Sequence, residues 1–153
     1  MQVSQPLTSN NRNKSFDPLA SYKQGGLEVK RQLLAAEGGY HTSDRATALL
    51  GINETALTAL RQQSKIIGLP LANGSYVYPQ WQFVKTWFFR HRLLKGLDLA
   101  LAALTDSDPW IQAAFMLDRL ISTEMATPLN GLRQGKIDLV IATAMSFGEQ
   151  GAA

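Results

Sequence analysis

The spacing of apolar residues along the chain predicts a series of short helices separated by glycines. Apolar residues 27, 29, 33 and 34 recur at helical spacing, so Leu27–Glu37 is predicted to be a helix that Gly38-Gly39 ends. Residues 1–24 hold few apolar side chains and many Ser, Asn and Gln, and we expect a disordered arm there. The folded part of the chain is therefore expected to begin near residue 25.

The next two helices form the most informative stretch. Thr42-Ser43-Asp44 offers an N-cap to a helix over Arg45–Leu50, and Gly51 follows as its C-cap. Asn53 then offers a cap to a second helix, from Glu54 to about residue 64. Two short helices joined by a glycine-containing turn predict a helix-turn-helix.

The segment after the second helix has the pattern of a hairpin. Asn73-Gly74 separates two β-prone runs and favours a type I′ turn, in which both central residues have positive φ. A hairpin directly after a recognition helix is a wing. Pro79 then opens a third predicted helix, Gln80–Leu94, which would carry Lys85, Arg90 and Arg92 among aromatic residues.

The remaining third of the chain is predicted to be helical. The expected helices are Leu97–Leu104, Trp110–Ile121 after a cap cluster at 105–109, Leu129–Gln134 and Ile137–Phe147. The predicted fold is mainly α: a helix-turn-helix with a short β-hairpin wing, followed by a small helical C-terminal bundle. Residues 25–96 would form the helix-turn-helix domain with its wing, and residues 97–153 the second, helical domain. A chain of 153 residues is one ordinary domain, or two very small ones sharing a core.

Charge is distributed unevenly along the chain, although the net charge is only +3. Residues 41–96 carry seven Lys/Arg and two Asp/Glu, whereas residues 97–153 carry three and seven. This asymmetry favours a polyanion as the partner of the middle region. Solvated surface charge is the ordinary alternative.

Several function classes are disfavoured by composition. The chain has no cysteine, its two histidines lie far apart at 41 and 91, and no ligand-like spacing of carboxylates accompanies them, so neither a metal nor another cofactor is expected. The sequence shows no signal peptide and no apolar run that could span a bilayer, so we expect a cytoplasmic protein that does not bind membranes. A phosphate-binding glycine loop, a nucleophile elbow and paired carboxylates in an apolar setting are all missing, and we therefore expect no enzyme activity.

Ten polar residues are candidates for contact with double-stranded DNA. The outward side chains of the second helix would enter the major groove, the start of the first helix would meet phosphates, and the hairpin tip would approach the minor groove or the backbone. Each of these residues has the alternative of being an ordinary solvated side chain, helix cap or turn residue. The candidates are Thr42, Arg45, Asn53, Thr55, Thr58, Arg61, Gln62, Lys65, Asn73 and Ser75.

The chain resembles two protein families, one through its middle region and one through its C-terminal part. The segment from Tyr40 to Ile52, continued by Gly68, Gly74, Tyr76, Tyr78 and Pro79, resembles the winged helix-turn-helix of excisionase and MerR-like proteins. Thr47 stands where that pattern usually has a second alanine. The later motifs Asp108-Pro109-Trp110, Thr127-Pro128-Leu129, Leu132-Arg133, Gly135 and Val140 resemble the toxin-binding region of Xre/MbcA/ParS-like antitoxins.

The second resemblance implies a specific function. Such antitoxins combine a DNA-binding part with a toxin-binding part, dimerise, and repress their own operon. We therefore expect a DNA-binding transcriptional regulator that acts as the antitoxin of a toxin–antitoxin pair, forms a homodimer, and binds its toxin through residues 97–153. Two alternatives are a stand-alone DNA-binding accessory protein, such as an excisionase or phage regulator, and a protein-interaction module that does not bind DNA.

Overall fold

The computed structural model describes residues 26–87, 90–104, 107–119 and 124–152, with side chains up to residue 147. The predicted arm at residues 1–24 lies outside these ranges. The described residues form α1 (Leu27–Ala35), β1 (Tyr40–Thr42), α2 (Ser43–Leu50), α3 (Glu54–Gln62), β2 (Leu69–Pro70), β3 (Tyr76–Pro79), β4 (Phe83–Lys85), β5 (His91–Leu93), α4 (Leu97–Ala103), α5 (Pro109–Met116), α6 (Pro128–Arg133) and α7 (Ile137–Ala152). Short 3-10 helices follow α1 at Ala36–Gly38 and β3 at Gln80–Gln82. The architecture is mixed, with seven α-helices and two small antiparallel sheets in the described part, and it contains the expected combination of paired helices and a hairpin.

The helix pair α2–α3 begins and ends where its local sequence dictates. Thr42 Oγ1 accepts a hydrogen bond from the backbone N–H of Arg45 (3.3 Å), which caps α2. Asn53 Oδ1 accepts one from the N–H of Ala56 (2.8 Å), which caps α3. Between the helices Gly51 takes φ 69°, so a residue without a Cβ reverses the chain in the left-handed region.

The first sheet joins this helix pair to the hairpin that follows it. Its strand order is β1-β3-β2, and both pairings are antiparallel. The register places His41 opposite Tyr78 and Leu69 opposite Val77. The short strand β1 was not foreseen, because its partner β3 lies more than 30 residues further along the chain.

The predicted hairpin is present, but its turn differs from the expected one. Gly74 has φ 90°, whereas Asn73 lies outside the left-handed region, so the type I′ assignment was wrong. The Gly74 N–H donates to the carbonyl of Leu71 (3.0 Å), and the Leu71 N–H donates to the carbonyl of Ser75 (2.8 Å). These bonds close a three-residue loop with glycine at its left-handed position, the next most common hairpin connection.

The predicted helix Gln80–Leu94 was wrong, because this segment forms a second hairpin. The strands β4 and β5 pair antiparallel, from Phe83 opposite Leu93 to Lys85 opposite His91. Lys85 and Arg92 therefore lie on strands, and Arg90 lies in the loop between them.

Two interactions explain why this segment is not helical. The backbone N–H and the hydroxyl of Thr86 both donate to the carbonyl of Arg90 (2.8 and 2.7 Å), which closes the hairpin loop. Gln82 is fully buried, and its side-chain amide exchanges two hydrogen bonds with the backbone of Ile67 (2.9 and 2.8 Å). A helix at this position would forfeit both sets of bonds.

The later helices agree with the sequence in their starts more than in their lengths. Asp108 and Thr127 cap α5 and α6 through their side-chain oxygens, and a proline occupies the first helical position of each. The helix α5 ends at Met116, five residues before the predicted end. None of the helices in the described ranges has the length and apolarity needed to cross a membrane.

Buried apolar side chains form two clusters. The smaller one lies beneath α2 and α3 and contains Leu49, Leu57, Tyr78 and Phe83. The larger one brings residues of α1 and the first hairpin together with those of α4 to α7. The strand β3 contributes to both clusters, through Val77 and Tyr78, and so connects the helix pair to the core that α1 and α7 share.

Candidate nucleic-acid interface

The outer face of α3 is polar and open. Thr55, Thr58 and Gln62 follow one another at helical spacing and line a shallow concavity together with Glu54 and Ala59. On the opposite side of the same helix, Leu57 is completely buried in the smaller core cluster. The structure therefore brings three of the predicted contact residues together on one exposed helix face.

Two further predicted residues lie at helix starts and have their side-chain oxygens engaged there. Thr42 caps α2 and Asn53 caps α3 through the bonds described above. Both residues are exposed. Each of them therefore has a demonstrated structural role, and any contact with DNA would add to that role.

Arg61 does not point away from the protein as the sequence suggested. Its guanidinium lies over the ring of Tyr76, 3.7 Å from the ring centroid, so it joins the last turn of α3 to the first hairpin. Its aliphatic stem covers Gly68, and its Nε is buried without a hydrogen-bond partner among the described residues. Arg61 thus sets the position of the hairpin relative to α3.

Lys65 follows the end of α3, in the turn before the hairpin. Its N–H donates to the carbonyl of Leu60 (2.9 Å), while the N–H of Ser64 donates to that of Arg61 (3.1 Å). With Ser64 at φ 57°, these two bonds form a Schellman motif in which serine replaces the usual glycine. The motif turns the chain so that the exposed Lys65 lies between α3 and the hairpin.

Asn73 and Ser75 lie at the tip of the first hairpin and are bonded to each other. Asn73 Oδ1 accepts from both the N–H (3.0 Å) and the hydroxyl (2.7 Å) of Ser75. Both residues are exposed. The two groups therefore order the turn, which leaves the amide nitrogen of Asn73 as the donor available for an outside ligand.

A basic group surrounds the start of α2. Arg45 is exposed in the first turn of that helix. Next to it, burial lowers the pKa of His41, and the nearby positive charges of Arg45 and His91 lower it further. The His41 ring also meets the edge of Phe83, with centroids 5.2 Å apart, which links β1 to the second hairpin.

Two residues of the winged helix-turn-helix resemblance have positioning roles that the sequence did not assign to them. Tyr76 carries the Arg61 guanidinium, and Gly68 gives the arginine stem room to lie flat. Strand alternation contained a signal for Tyr76, since the apolar Val77 next to it is expected to face the core and a strand turns neighbouring side chains to opposite faces. No comparable signal gave the role of Gly68, because Arg61 and Tyr78 approach it only once α3 and β3 have packed together.

Comparison with known proteins places the fold but not the function. No protein-family model matches the chain, and no curated protein matches it. The chain is similar to Rv2175c, whose structure was determined by NMR, with a TM-score of 0.58 and 19% sequence identity. The similarity covers 75% of this chain and 84% of that one. At this level of identity, the similarity shows a shared fold.

Proposed function

We propose that the protein binds double-stranded DNA, with α3 as the recognition helix and the β2–β3 hairpin as a wing. The observation that carries the proposal is the open polar face of α3, where Thr55, Thr58 and Gln62 lie side by side while Leu57 anchors the helix from behind. A major groove about 12 Å wide admits an α-helix presented in this way.

The chemistry of that face suits base edges. The Gln62 amide matches the donor–acceptor pair of adenine, and the Thr58 hydroxyl and methyl groups match a phosphate or a thymine methyl. The Glu54 carboxylate suits a hydrogen bond from a cytosine amine, or it stabilises the helix by lying at the positive, N-terminal end of the α3 dipole. These side chains supply sequence preference, while the cations around them supply affinity.

Two exposed cations flank the recognition helix on the predicted DNA side. Arg45 lies at the start of α2, the helix that crosses the sugar–phosphate backbone in this geometry, and Lys65 follows the end of α3. The Arg61–Tyr76 stack holds the wing against the recognition helix. The arrangement therefore suits one helix in the groove with backbone contacts on both sides.

The narrower proposal is that this DNA binding belongs to a transcriptional regulator that is the antitoxin of a toxin–antitoxin pair. It is supported by the resemblance of the C-terminal motifs and by the acidic balance of residues 97–153. Two large apolar side chains of the C-terminal part are also exposed, Leu99 on α4 (50%) and Met145 on α7 (56%). The helices α4 and α7 pack against each other, so both side chains are available to a protein partner of this helix pair. Co-expression with the product of the neighbouring gene should give a complex that Leu99→Glu weakens. Recovery of the protein without that product would contradict the antitoxin role and leave the DNA-binding proposal standing.

DNA binding itself is tested by fluorescence anisotropy with labelled duplexes. The duplexes are the fragment upstream of the gene and a scrambled fragment of equal length, measured between 50 and 200 mM salt. Gln62→Ala should weaken binding to the upstream fragment, and Gln63→Ala is the matched control because Gln63 is exposed next to it but does not line the concavity. Absence of binding by the wild-type protein at 50 mM salt, or equal losses in the two variants, would contradict the proposal.

A further inference from the structure

The second hairpin combines positive charge with an exposed indole. Residues 80–96 contain four Lys/Arg and no Asp or Glu. Trp87, beside the residue pair that closes the loop, is 86% exposed, whereas Trp81 and Trp110 are 4% and 5% exposed. An exposed indole in a segment whose charged residues are all basic offers an aromatic face for packing beside cations that attract phosphates.

The position of this hairpin is fixed relative to α2. Phe83 and Leu93 lie opposite each other in the β4–β5 ladder and pack into the small core cluster beneath the helix pair. Because side chains alternate along a strand, Lys85 and His91, the next pair along the ladder, share the face of Phe83 and Leu93. The hairpin therefore continues outward from the core with a basic pair on its α2 side.

This basic pair adjoins the start of α2. His41 makes a T-shaped ring contact with Phe83 of β4, with centroids 5.2 Å apart, and α2 packs against β5, the strand that begins with His91. A row of basic side chains thus begins with Arg45 in the first turn of α2 and continues through His91 and Lys85 toward the hairpin loop, in which Arg90 lies. The proposed DNA-binding mode places the start of α2 on the sugar–phosphate backbone, so the row begins at a point of backbone contact.

We propose that the β4–β5 hairpin is a second DNA-contacting element, which binds the sugar–phosphate backbone next to the site occupied by α3. Lys85 and Arg90 neutralise phosphates, and the Trp87 indole packs on the sugars at the edge of the groove. This inference rests on the proposed function. It adds a sequence-independent contact, because phosphate contacts position a protein on the duplex without reading bases.

The salt dependence of binding gives the first test. Each phosphate contact contributes about 0.9 to the slope of log affinity against log salt, so Lys85→Ala/Arg90→Ala should lower that slope by about two. Between 50 and 200 mM salt the wild-type protein should then lose about tenfold more affinity than this variant. The matched control is Arg119→Ala/Lys136→Ala, which removes two exposed charges from the C-terminal part and should leave the slope unchanged. Thermal unfolding of each variant verifies that it is folded.

Trp87 provides a second readout that does not depend on affinity. Because the other two tryptophans are buried, quenching of tryptophan fluorescence by acrylamide reports mainly on Trp87. Saturating duplex DNA should reduce this quenching in the wild-type protein. Trp87→Ala should remove most of the quenchable signal and weaken binding equally on the upstream and scrambled duplexes.

The outcomes separate this inference from the proposed function. Wild-type binding that is weakened by Gln62→Ala, but with an unchanged salt slope in Lys85→Ala/Arg90→Ala and unchanged quenching, would overturn the inference and leave α3 as the recognition helix. Loss of binding to anionic phospholipid vesicles in Lys85→Ala/Arg90→Ala, with its DNA affinity intact, would also overturn the inference, because the hairpin would then be a membrane surface. A wild-type protein that binds no DNA would overturn the proposed function, and the inference with it.

Discussion

Gly68 lies where the recognition helix, the first hairpin and the core meet, and its replacement by alanine tests that junction. A Cβ at this position would lie 2.6 Å from Cδ of Arg61 and 2.9 Å from Cε2 of Tyr78. The backbone of Gly68 is outside the left-handed region, so steric overlap and not φ decides the outcome. Both distances are shorter than the contacts that real Cβ atoms make.

The two neighbours respond differently to the added methyl group. Arg61 can move aside, but it then leaves the Tyr76 ring, and a stack of this kind contributes about 1 kcal/mol. The Tyr78 ring is 1% exposed and belongs to the core, so it has little room to shift, and overpacking of a core costs about 1–3 kcal/mol. We expect Gly68→Ala to lower the free energy of unfolding by about 2 kcal/mol, which is a fall in Tm of roughly 4–8 °C for a chain of this length.

Urea unfolding followed by circular dichroism measures this effect in a double-mutant cycle with Arg61→Ala. The double variant should lose about 1 kcal/mol less stability than the sum of the single losses. Both single variants lose the Arg61–Tyr76 stack, and the double variant can lose it only once. Gly26→Ala is the control, since a Cβ there meets no atom within 4 Å. Unchanged stability of Gly68→Ala, or fully additive losses, would refute the junction described here.

Three further changes test other parts of the structure. Gly51→Ala should cost about 1 kcal/mol in urea unfolding, because the space around it is open and only its φ of 69° is strained for alanine, and Gly51→Asn should cost less. Asn53→Ala should lose about 1 kcal/mol of stability because the cap of α3 is missing, whereas Asn53→Ser should keep most of that stability. Equal DNA affinity of Asn53→Ser and the wild-type protein would show that Asn53 acts only as a cap. Because burial and then Arg45 and His91 lower the pKa of folded His41 below its ordinary 6.5, the unfolded chain takes up a proton first as the pH falls, so stability should decline from about pH 6.5 downward. In His41→Gln that part of the decline should be missing from unfolding curves recorded between pH 7 and pH 5, and an identical pH profile would contradict the assignment.

The helix pair was predictable because its determinants are local. Thr42, Gly51 and Asn53 each act within four residues of their own position, through a cap or a left-handed turn, and the structure places all three as expected. The starts of α5 and α6 at Asp108 and Thr127 were predictable for the same reason.

The second hairpin was not predictable in this way. Trp81, Phe83, Val84 and Trp87 have a spacing that also fits a helix face, and no Asn-Gly or Gly-Gly pair marks the turn between the strands. The loop is closed by bonds of Thr86 to Arg90, and the start of the segment is fixed by the bonds of Gln82 to Ile67. Ile67 lies fifteen residues away, and a partner at that distance cannot be identified from the sequence around Gln82.

The candidate site shows the same division. The outward face of α3 followed from helical spacing, so Thr55, Thr58 and Gln62 are found together. The orientation of Arg61 depends on Tyr76, which reaches it only through the fold of the hairpin. Helical spacing alone therefore assigned Arg61 to an outward face.

Selection of binding sites from a random duplex pool tests the central claim most directly. The wild-type protein should enrich a defined sequence, and Thr58→Ala/Gln62→Ala should still bind DNA but lose the preference at adjacent positions of that sequence, each good base contact being worth about 1–3 kcal/mol. Gln63→Ala should enrich the wild-type sequence. Failure of the wild-type protein to enrich any sequence, or an unaltered preference in Thr58→Ala/Gln62→Ala, would contradict the assignment of α3 as the recognition helix.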